Sequence, residues 1–530
     1  MSGGGRRAPV ALAVPAALVV ALLLLPIAYL AIRAAGGGAD AWSVLGRRET
    51  GELVLRTGAL VAVVCGAAVA LGVPLAWLVA RTDLPGRRTI GAALALPLVI
   101  PSYVGALALL GAFGPRGMLQ RLLERPFGVE RLPEIYGFGG AALALTLSTY
   151  PYVYLLASAS LRTLDPALEE ASQALGRSRA HTFVRVTLPA LRPSIGAGGL
   201  LVALYVLSDF GAVSLMQYDA LTRSIYLQYR ALFDRTPAAI LGLVLVALTL
   251  VVLLLEARVR RRGALYRSAP GSARRPPVVP LGRWKPVALG FCAVVLALFL
   301  VVPVAVLVYW SARAIPLGYG IGIAWEPAAR SVTAAALAAV VAVTAVLPVA
   351  VVARRYNVVW TRALERLAYA GNALPGIVIA LSLVFFAANY AGFAYQTLGL
   401  LVFAYVVRFF PQALAATSSS LASVSPRVEE AARSLGRGPL AVVLTVTAPL
   451  VRPGLLAGAA LVFLSAMKEL PATLLLRPIG FDTLATEIWQ ETSLGAYSDA
   501  APSALVLILV SAPFVYLLSG REAVELGGPG

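Results

Sequence analysis

The chain has 530 residues, of which 59% are hydrophobic and 13% charged, with a mean hydropathy of +0.84. That balance excludes a soluble globular protein and makes lipid the medium around most of the chain. The formal charge of +19 would point to nucleic acid in a soluble protein; here it reports topology, because Lys and Arg collect on cytoplasmic loops.

Apolar runs of roughly 20 residues, enough to cross about 30 Å of hydrocarbon as a helix, recur twelve times. The first six lie near 9–32, 53–80, 90–112, 138–161, 193–216 and 237–255. The second six lie near 286–310, 331–353, 366–388, 393–416, 452–476 and 502–519. Spanning strands would read as alternating segments of about 10 residues, whereas these runs are continuous. The expected fold is an all-α membrane protein of about twelve transmembrane helices. The first run exceeds the apolar core of a signal peptide and counts as the first helix.

If helices alternate, the tail with Arg6 and Arg7, the turn with Arg81, Arg87 and Arg88, the loop 162–192 and the linker after the sixth run share one side. That linker carries Arg258, Arg260, Arg261, Arg262, Arg267, Arg274, Arg275, Arg283 and Lys285 against Glu256. The side is therefore cytoplasmic, with both termini on it. Prolines Pro97, Pro101 and Pro375 are expected to kink the third and ninth helices. Leu119, Leu122 and Leu123, in the outer loop 113–137, suit a short surface helix.

Between the fourth and fifth runs the chain reads Asp165-Pro166-Ala167-Leu168-Glu169-Glu170-Ala171-Ser172-Gln173-Ala174-Leu175-Gly176. Asp165 can cap a helix start, Pro166 suits the first turn, and Gly176 suits a left-handed stop. Leu168, Ala171, Ser172 and Leu175 form a narrow stripe fit for a partner's groove. In the second half Ser425, Pro426, Glu429, Glu430 and Gly436 repeat these devices, and Val428, Ala431, Ala432 and Leu435 repeat the stripe. Glu170 to Gly176 and Glu430 to Gly436 have one spacing, as do Gly176 to Pro189 and Gly436 to Pro449.

The halves are thus duplicated. Val73-Pro74-Leu75 matches Leu347-Pro348-Val349, Leu96-Pro97 matches Leu374-Pro375, and Glu169-Glu170-Ala171 matches Glu429-Glu430-Ala431. By these matches the outer loop of the first half holds about 18 extra residues. Six spans per half make a parallel repeat, with a solute pathway between the halves. The halves are placed at 1–262 and 286–530, joined by a basic cytoplasmic linker 263–285.

Charged residues inside spans point to function. Asp209 and Glu469 stand equally far beyond Glu170 and Glu430, inside the fifth and eleventh helices, and are the candidate pathway residues. By helical spacing Tyr205 and Met216 share the face of Asp209, and Ser465 and Thr473 that of Glu469. Oxygen ligands of this kind suit a hard cation in transient contact. Competing readings are that Asp209 caps a helix end and that Glu469 neutralises an arginine such as Arg408. Asp219 and Asp482 head matching outer segments, where capping is the expected role. Cys65 and Cys292 lie in spans without metal spacing and read as packing residues. His181, the sole histidine, reads as a surface residue.

Glu170-Ala171-Ser172 with Gly176 and Leu188-Pro189, and Glu430-Ala431-Ala432 with Gly436 and Pro449, resemble the EAA loop of ATP-binding-cassette importer permeases; Ser172 and Ala448 depart from its usual Ala and Leu. The resemblance implies a type I importer permease architecture, with EAA loops at 162–192 and 421–452 docking two copies of an ABC ATPase subunit. The ATPase-coupling residues it implies are Glu169, Glu170, Ala171, Gly176, Glu429, Glu430, Ala431 and Gly436. The chain has no G-x-x-x-x-G-K-[ST] loop and only two lysines, Lys285 and Lys468, so ATP and Mg2+ are expected on the partner subunits and no cofactor on this chain. The segments from Ser208-Asp209-Phe210-Gly211 to Tyr218-Asp219, and from Met467-Lys468-Glu469-Leu470 to Thr486, resemble ferric-iron permeases over nearly the whole chain. That implies Fe3+ as substrate, delivered by an extracytoplasmic iron-binding protein across a bacterial inner membrane, with no nucleic acid as partner. A fused permease for thiamine or another small solute, and a twelve-helix secondary transporter, remain alternatives at this stage.

Overall fold

The computed structural model describes residues 8–38, 42–115, 117–231, 236–264, 278–314, 325–356 and 358–525. Among them eight helices are long and apolar enough to cross a membrane unbroken. They are Val10–Ala35, Arg48–Arg81, Phe138–Thr163, Arg179–Ser208, Thr236–Arg258, Gly282–Arg313, Trp325–Arg355 and Leu398–Ser423. Three further spans are bent: the third (Arg87–Val99 with Ser102–Glu124, 95°), the ninth (Val359–Gly371 with Gly376–Tyr390, 99°) and the eleventh (Pro439–Leu450 with Arg452–Met467, 78°). The twelfth is Tyr497–Glu525. The architecture is all-α, two repeats of six; the described residues hold no strand, only one isolated bridge between Thr82 and Val279.

The bends in the third and ninth spans follow from proline. Pro101 and Pro375 precede the helices Ser102–Phe113 and Gly376–Tyr390 with extended backbone, φ/ψ −60°/150° and −57°/144°. A proline offers no N–H and forces its predecessor out of the helical region. Ile100 and Leu374 accordingly sit at ψ 114° and 111°. The backbone thus pairs Pro101, not Pro97, with Pro375. This corrects the Leu96-Pro97 match, and the outer loop of the first half is left with 14 extra residues rather than 18. Part of that loop forms the helix Met118–Phe127, which lies against the seventh span with the Arg121 guanidinium 4.8 Å from the Trp310 ring centre.

Three π-turns, Phe183–Thr187, Ala297–Val301 and Val443–Thr447, each end two residues before a proline: Pro189, Pro303 and Pro449. The missing N–H leaves a carbonyl one turn earlier without a partner, and the widened turn absorbs it.

The first span of each half packs on the opposite half. Tyr29 donates to the carbonyl of Phe385 (3.4 Å), and Ser382 to that of Pro26 (2.6 Å). Reciprocally, the Trp310 indole N–H donates to Gly111 (3.1 Å), and Phe299 packs 5.3 Å from buried Tyr150. Cys65 and Cys292 are free thiols; Cys65 Sγ lies 3.2 Å from the Gly199 carbonyl.

Of the linker 263–285, residues 265–277 fall outside the described residues. Its end lies on the turn after the second span: Val279 N–H donates to Arg81 (2.8 Å), Leu281 N–H to the Asp83 carboxylate (2.8 Å), and Lys285 pairs with Asp83 (2.7 Å). The ammonium of Lys285 holds the exposed Asp83 carboxyl below its ordinary range.

Candidate coupling and pathway sites

The duplicated loop motif forms a short helix in each half, Ala167–Ala174 and Pro426–Ser434. Asp165 caps the first by accepting from Ala167 N–H (2.9 Å), and Ser425 caps the second by accepting from Arg427 N–H (3.4 Å). Gly176 and Gly436 end them at φ 78° and 84°, a conformation glycine adopts without strain. The carbonyls left open are taken up from beyond the helix: Gly176 N–H donates to Gln173 and Arg177 N–H to Ser172, as Gly436 does to Arg433 and Arg437 to Ala432.

Glu169 and Glu429 turn inward and are buried, while Glu170, Ala171, Glu430 and Ala431 lie on the exposed side. Arg81, the last residue of the second span, pairs with Glu169 and donates to the Leu161 carbonyl (3.2 Å). The Thr187 hydroxyl, in the π-turn, donates to the other Glu169 oxygen (2.6 Å). Arg355, the last residue of the eighth span, pairs with Glu429 (2.9 Å) and donates to Val424 (3.0 Å), and Thr447 donates to Glu429 (3.2 Å). Outside, Leu168, Leu175 and Leu435 are 65%, 82% and 83% exposed. The stripe is therefore divided: Ala432 is buried and Ser172 half-buried against Thr182 (2.9 Å), leaving the leucines outward. His181 is exposed.

Midway along the bundle, four helices begin around two carboxylates. The fifth span ends at Ser208, and Asp209 is extended at φ/ψ −72°/131°, not helical as the sequence suggested. Its Oδ1 accepts from Ala212 N–H (3.0 Å) and Val213 N–H (3.4 Å), capping the helix Gly211–Leu215. Its Oδ2 accepts from the Ser102 hydroxyl at the start of Ser102–Phe113. Glu469 likewise lies beyond the end of its span, after Met467 and Lys468, and accepts from Ala472 N–H (3.2 Å) at the start of Pro471–Leu476. Arg408 pairs with it at 3.2 Å. Gly376, in register with Ser102, lies so close that a Cβ there would meet the Arg408 guanidinium and the Glu469 carboxylate. A Cβ on Gly211 would meet Leu470 at 3.1 Å, so the two breaks lie against each other. Lys468 crosses between halves to the Leu98 carbonyl (2.9 Å).

The breaks separate residues that helical spacing had grouped. Tyr205 precedes the break and packs on Tyr152 (6.1 Å between ring centres), but Met216 follows it, buried, and its carbonyl accepts from Gly137 N–H (2.7 Å). Ser465 donates to Gln412 (2.9 Å), while Thr473 bonds Tyr405 (2.6 Å) and the Glu469 carbonyl (2.5 Å). Among the described residues no three His, Cys, Asp or Glu side chains gather as a metal site. At the outer ends Asp219 pairs with Arg56 (3.5 Å) and Arg223, and Asp482 with Arg477. The capping expected of Asp482 falls instead to its neighbour Thr483, in a reciprocal box with Thr486.

Two parallel six-helix repeats, with broken helices meeting between them and a short helix on the loop after the fourth span of each, describe a membrane transport permease. The chain belongs to the family of binding-protein-dependent transport system inner membrane components, whose pattern matches it twice, at residues 68–263 and 346–520. It is 35% identical over 525 residues to the Fe(3+)-transport system permease protein FbpB 2 of Haemophilus influenzae, covering 97% of this chain and 98% of that one. It is 24% identical over 432 residues to the ferric transport system permease protein FbpB of Actinobacillus pleuropneumoniae, 78% of this chain and 63% of that one, under two thirds of its length. A sulfate transport system permease protein, CysT of Salmonella typhimurium, is 30% identical over 201 residues, 36% of this chain and 71% of that relative.

Proposed function

We propose that this chain is the permease of an ABC importer that moves Fe3+ from an extracytoplasmic iron-binding protein into the cytoplasm. The observation that carries this reading is the 35% identity to a Fe(3+)-transport permease along nearly the full length of both chains. The fused halves, 1–262 and 286–530 with the linker 263–285, sit in a bacterial inner membrane with both termini cytoplasmic. Two ABC ATPase subunits, holding ATP and Mg2+, dock one on each cytoplasmic helix. Glu170, Ala171, Glu430 and Ala431 meet them with the exposed leucines, Gly176 and Gly436 fix the helix ends, and Glu169 and Glu429 serve the same elements from inside.

Alternating access requires that ATP favour one of two conformations. In the closed arrangement Asp209 and Glu469 hold the meeting helix ends; on opening, they exchange Ser102 and Arg408 for the passing cation. Tyr205 and Ser465 flank them, and Met216 braces the outer side of the first break. The test is uptake of radiolabelled ferric iron by proteoliposomes holding this chain, its ATPase and its binding protein. Uptake is expected only with ATP and binding protein together, and the double variant Asp209→Ala with Glu469→Ala abolishes it. Stimulation of ATP hydrolysis by thiamine or sulfate in place of iron would overturn the substrate assignment.

A further inference from the structure

The two inward carboxylates have a task that docking does not explain. Glu169 is 7% exposed and Glu429 2% exposed, so neither is available to a partner arriving from the cytoplasm. Each gathers elements distant in sequence. For Glu169 these are the end of the second span through Arg81, the π-turn within the fifth span through Thr187, and, through Arg81, the Leu161 carbonyl in the fourth span. For Glu429 they are Arg355 of the eighth span, Thr447 of the π-turn within the eleventh, and the Val424 carbonyl just past the tenth. The same four parts, arginine, carboxylate, threonine and carbonyl, occur in both halves.

A helix of eight or nine residues is marginal alone. Pushed by a partner, it would shift in its loop unless something stiff joined it to the spans. Apolar contacts would hold it but let it slide, because they are non-directional. A buried ion pair completed by hydrogen bonds fixes register and direction, the best-attested use of buried charge.

We infer that Glu169 and Glu429 are positioning residues that latch each cytoplasmic helix to the second and fifth, or eighth and eleventh, spans, so that movement of the helix moves those spans as one body. The inference rests on the coupling reading above and deepens it. The latches are unequal. Glu429 has a second cation, Arg433 at 3.7 Å, where the first half has Gln173. Loss of Arg81 therefore strips Glu169 of its one cationic partner among the described residues, whereas loss of Arg355 leaves Arg433.

The experiment uses the full complex in proteoliposomes and compares Glu169→Gln, Arg81→Met, Arg355→Met and the near-isosteric Thr187→Val. Three quantities are read: ATPase subunits co-purified per permease, hydrolysis stimulated by loaded binding protein, and iron transported per ATP. Glu169→Gln and Arg81→Met are expected to retain the ATPase subunits while iron per ATP falls roughly tenfold, within the span of typical coupling free energies. Arg355→Met should lose less, and Thr187→Val should lose a few-fold. Loss of the ATPase subunits in Glu169→Gln would put the carboxylate in the docking face and overturn the inference. So would unchanged iron per ATP in Thr187→Val together with whichever of the charge variants assembles. The coupling reading fails by a separate sign: Leu175→Asp with Leu435→Asp would keep both ATPase subunits and transport.

Discussion

The proposed latches at Glu169 and Glu429 and the mid-bundle breaks are both duplicated, yet only the latches kept the same chemistry in the two halves. At the latches Arg81, Glu169 and Thr187 answer to Arg355, Glu429 and Thr447 one for one. At the breaks Asp209 is held by a hydroxyl and two backbone N–H groups, whereas Glu469 is held by one backbone N–H and a guanidinium, with glycine at the position of Ser102. The position of Arg408 in the first half is Ser148, and that of Lys468 is Ser208. A duplicated surface stays alike where it meets two like partners, as the proposed pair of ATPase subunits requires. It is free to diverge where both halves share one cargo and one pathway.

The sharpest way to break this comparison is to remove charge at the breaks. Arg408→Leu leaves Glu469 buried and unpaired and should cost about 3–5 kcal/mol, while Asp209→Asn, which keeps a polar group among neutral donors, should cost about 1–3 kcal/mol. Thermal unfolding of the purified permease in detergent measures both, and Arg408→Leu with Glu469→Leu should regain most of the loss. Equal costs for the two single variants would erase the distinction between the halves.

A second comparison exchanges the register-matched pair. Gly376→Ser forces a side chain into the Arg408 guanidinium and the Glu469 carboxylate, and overpacking of this kind costs about 1–3 kcal/mol. Ser102→Gly removes one hydrogen bond to Asp209, worth about 1.5–3 kcal/mol because the acceptor is charged. The discriminating result is coupling: with Arg408 and Glu469 both replaced by Ala, Gly376→Ser should add little cost, whereas Ser102→Gly should cost as much there as in the parent chain.

The smallest effect belongs to the strap formed by Lys285 and Asp83. Both side chains are partly exposed, so screening keeps the pair weak. The Asp83 carboxyl is depressed in the folded chain, so its contribution is complete above the ordinary carboxylate range and is lost as pH falls through its lowered value. Asp83→Asn should leave thermal stability at neutral pH nearly unchanged and remove its decline with acidification at that site, as read by unfolding at a series of pH values.

How much of this was legible in the sequence depended on whether the cause was local. The short loop helices could be read because their ends are set by neighbours in sequence: Asp165, Ser425, Gly176 and Gly436 act within a few residues. Their inward carboxylates were placed on the right elements without their partners, since Arg81 was read only as topological charge and Arg355 was not singled out. A signal was present, for both arginines close matching spans one repeat apart. The break at Asp209 was invisible because Leu207-Ser208-Asp209-Phe210 holds neither Gly nor Pro. Part of what holds it open comes from elsewhere in the fold, from Ser102 and from Thr222, which donates to the Asp209 carbonyl (2.6 Å). The proline match failed for a simpler reason: a shared Leu-Pro dipeptide outweighed the backbone role that Ile100-Pro101 shares with Leu374-Pro375.

The exchange of first spans between halves bears on how the chain is made. A ribosome releases the span Val10–Ala35 long before the ninth span, which receives Tyr29 and Pro26, exists. Until then the sixth span, whose Gly242 lies beside Leu30, covers part of its packing face and lipid the rest. The first half therefore waits in the bilayer, inserted but not closed, until the second half arrives. In a fused chain that wait ends with the same polypeptide, so each first span finds its receptor by tether rather than by collision.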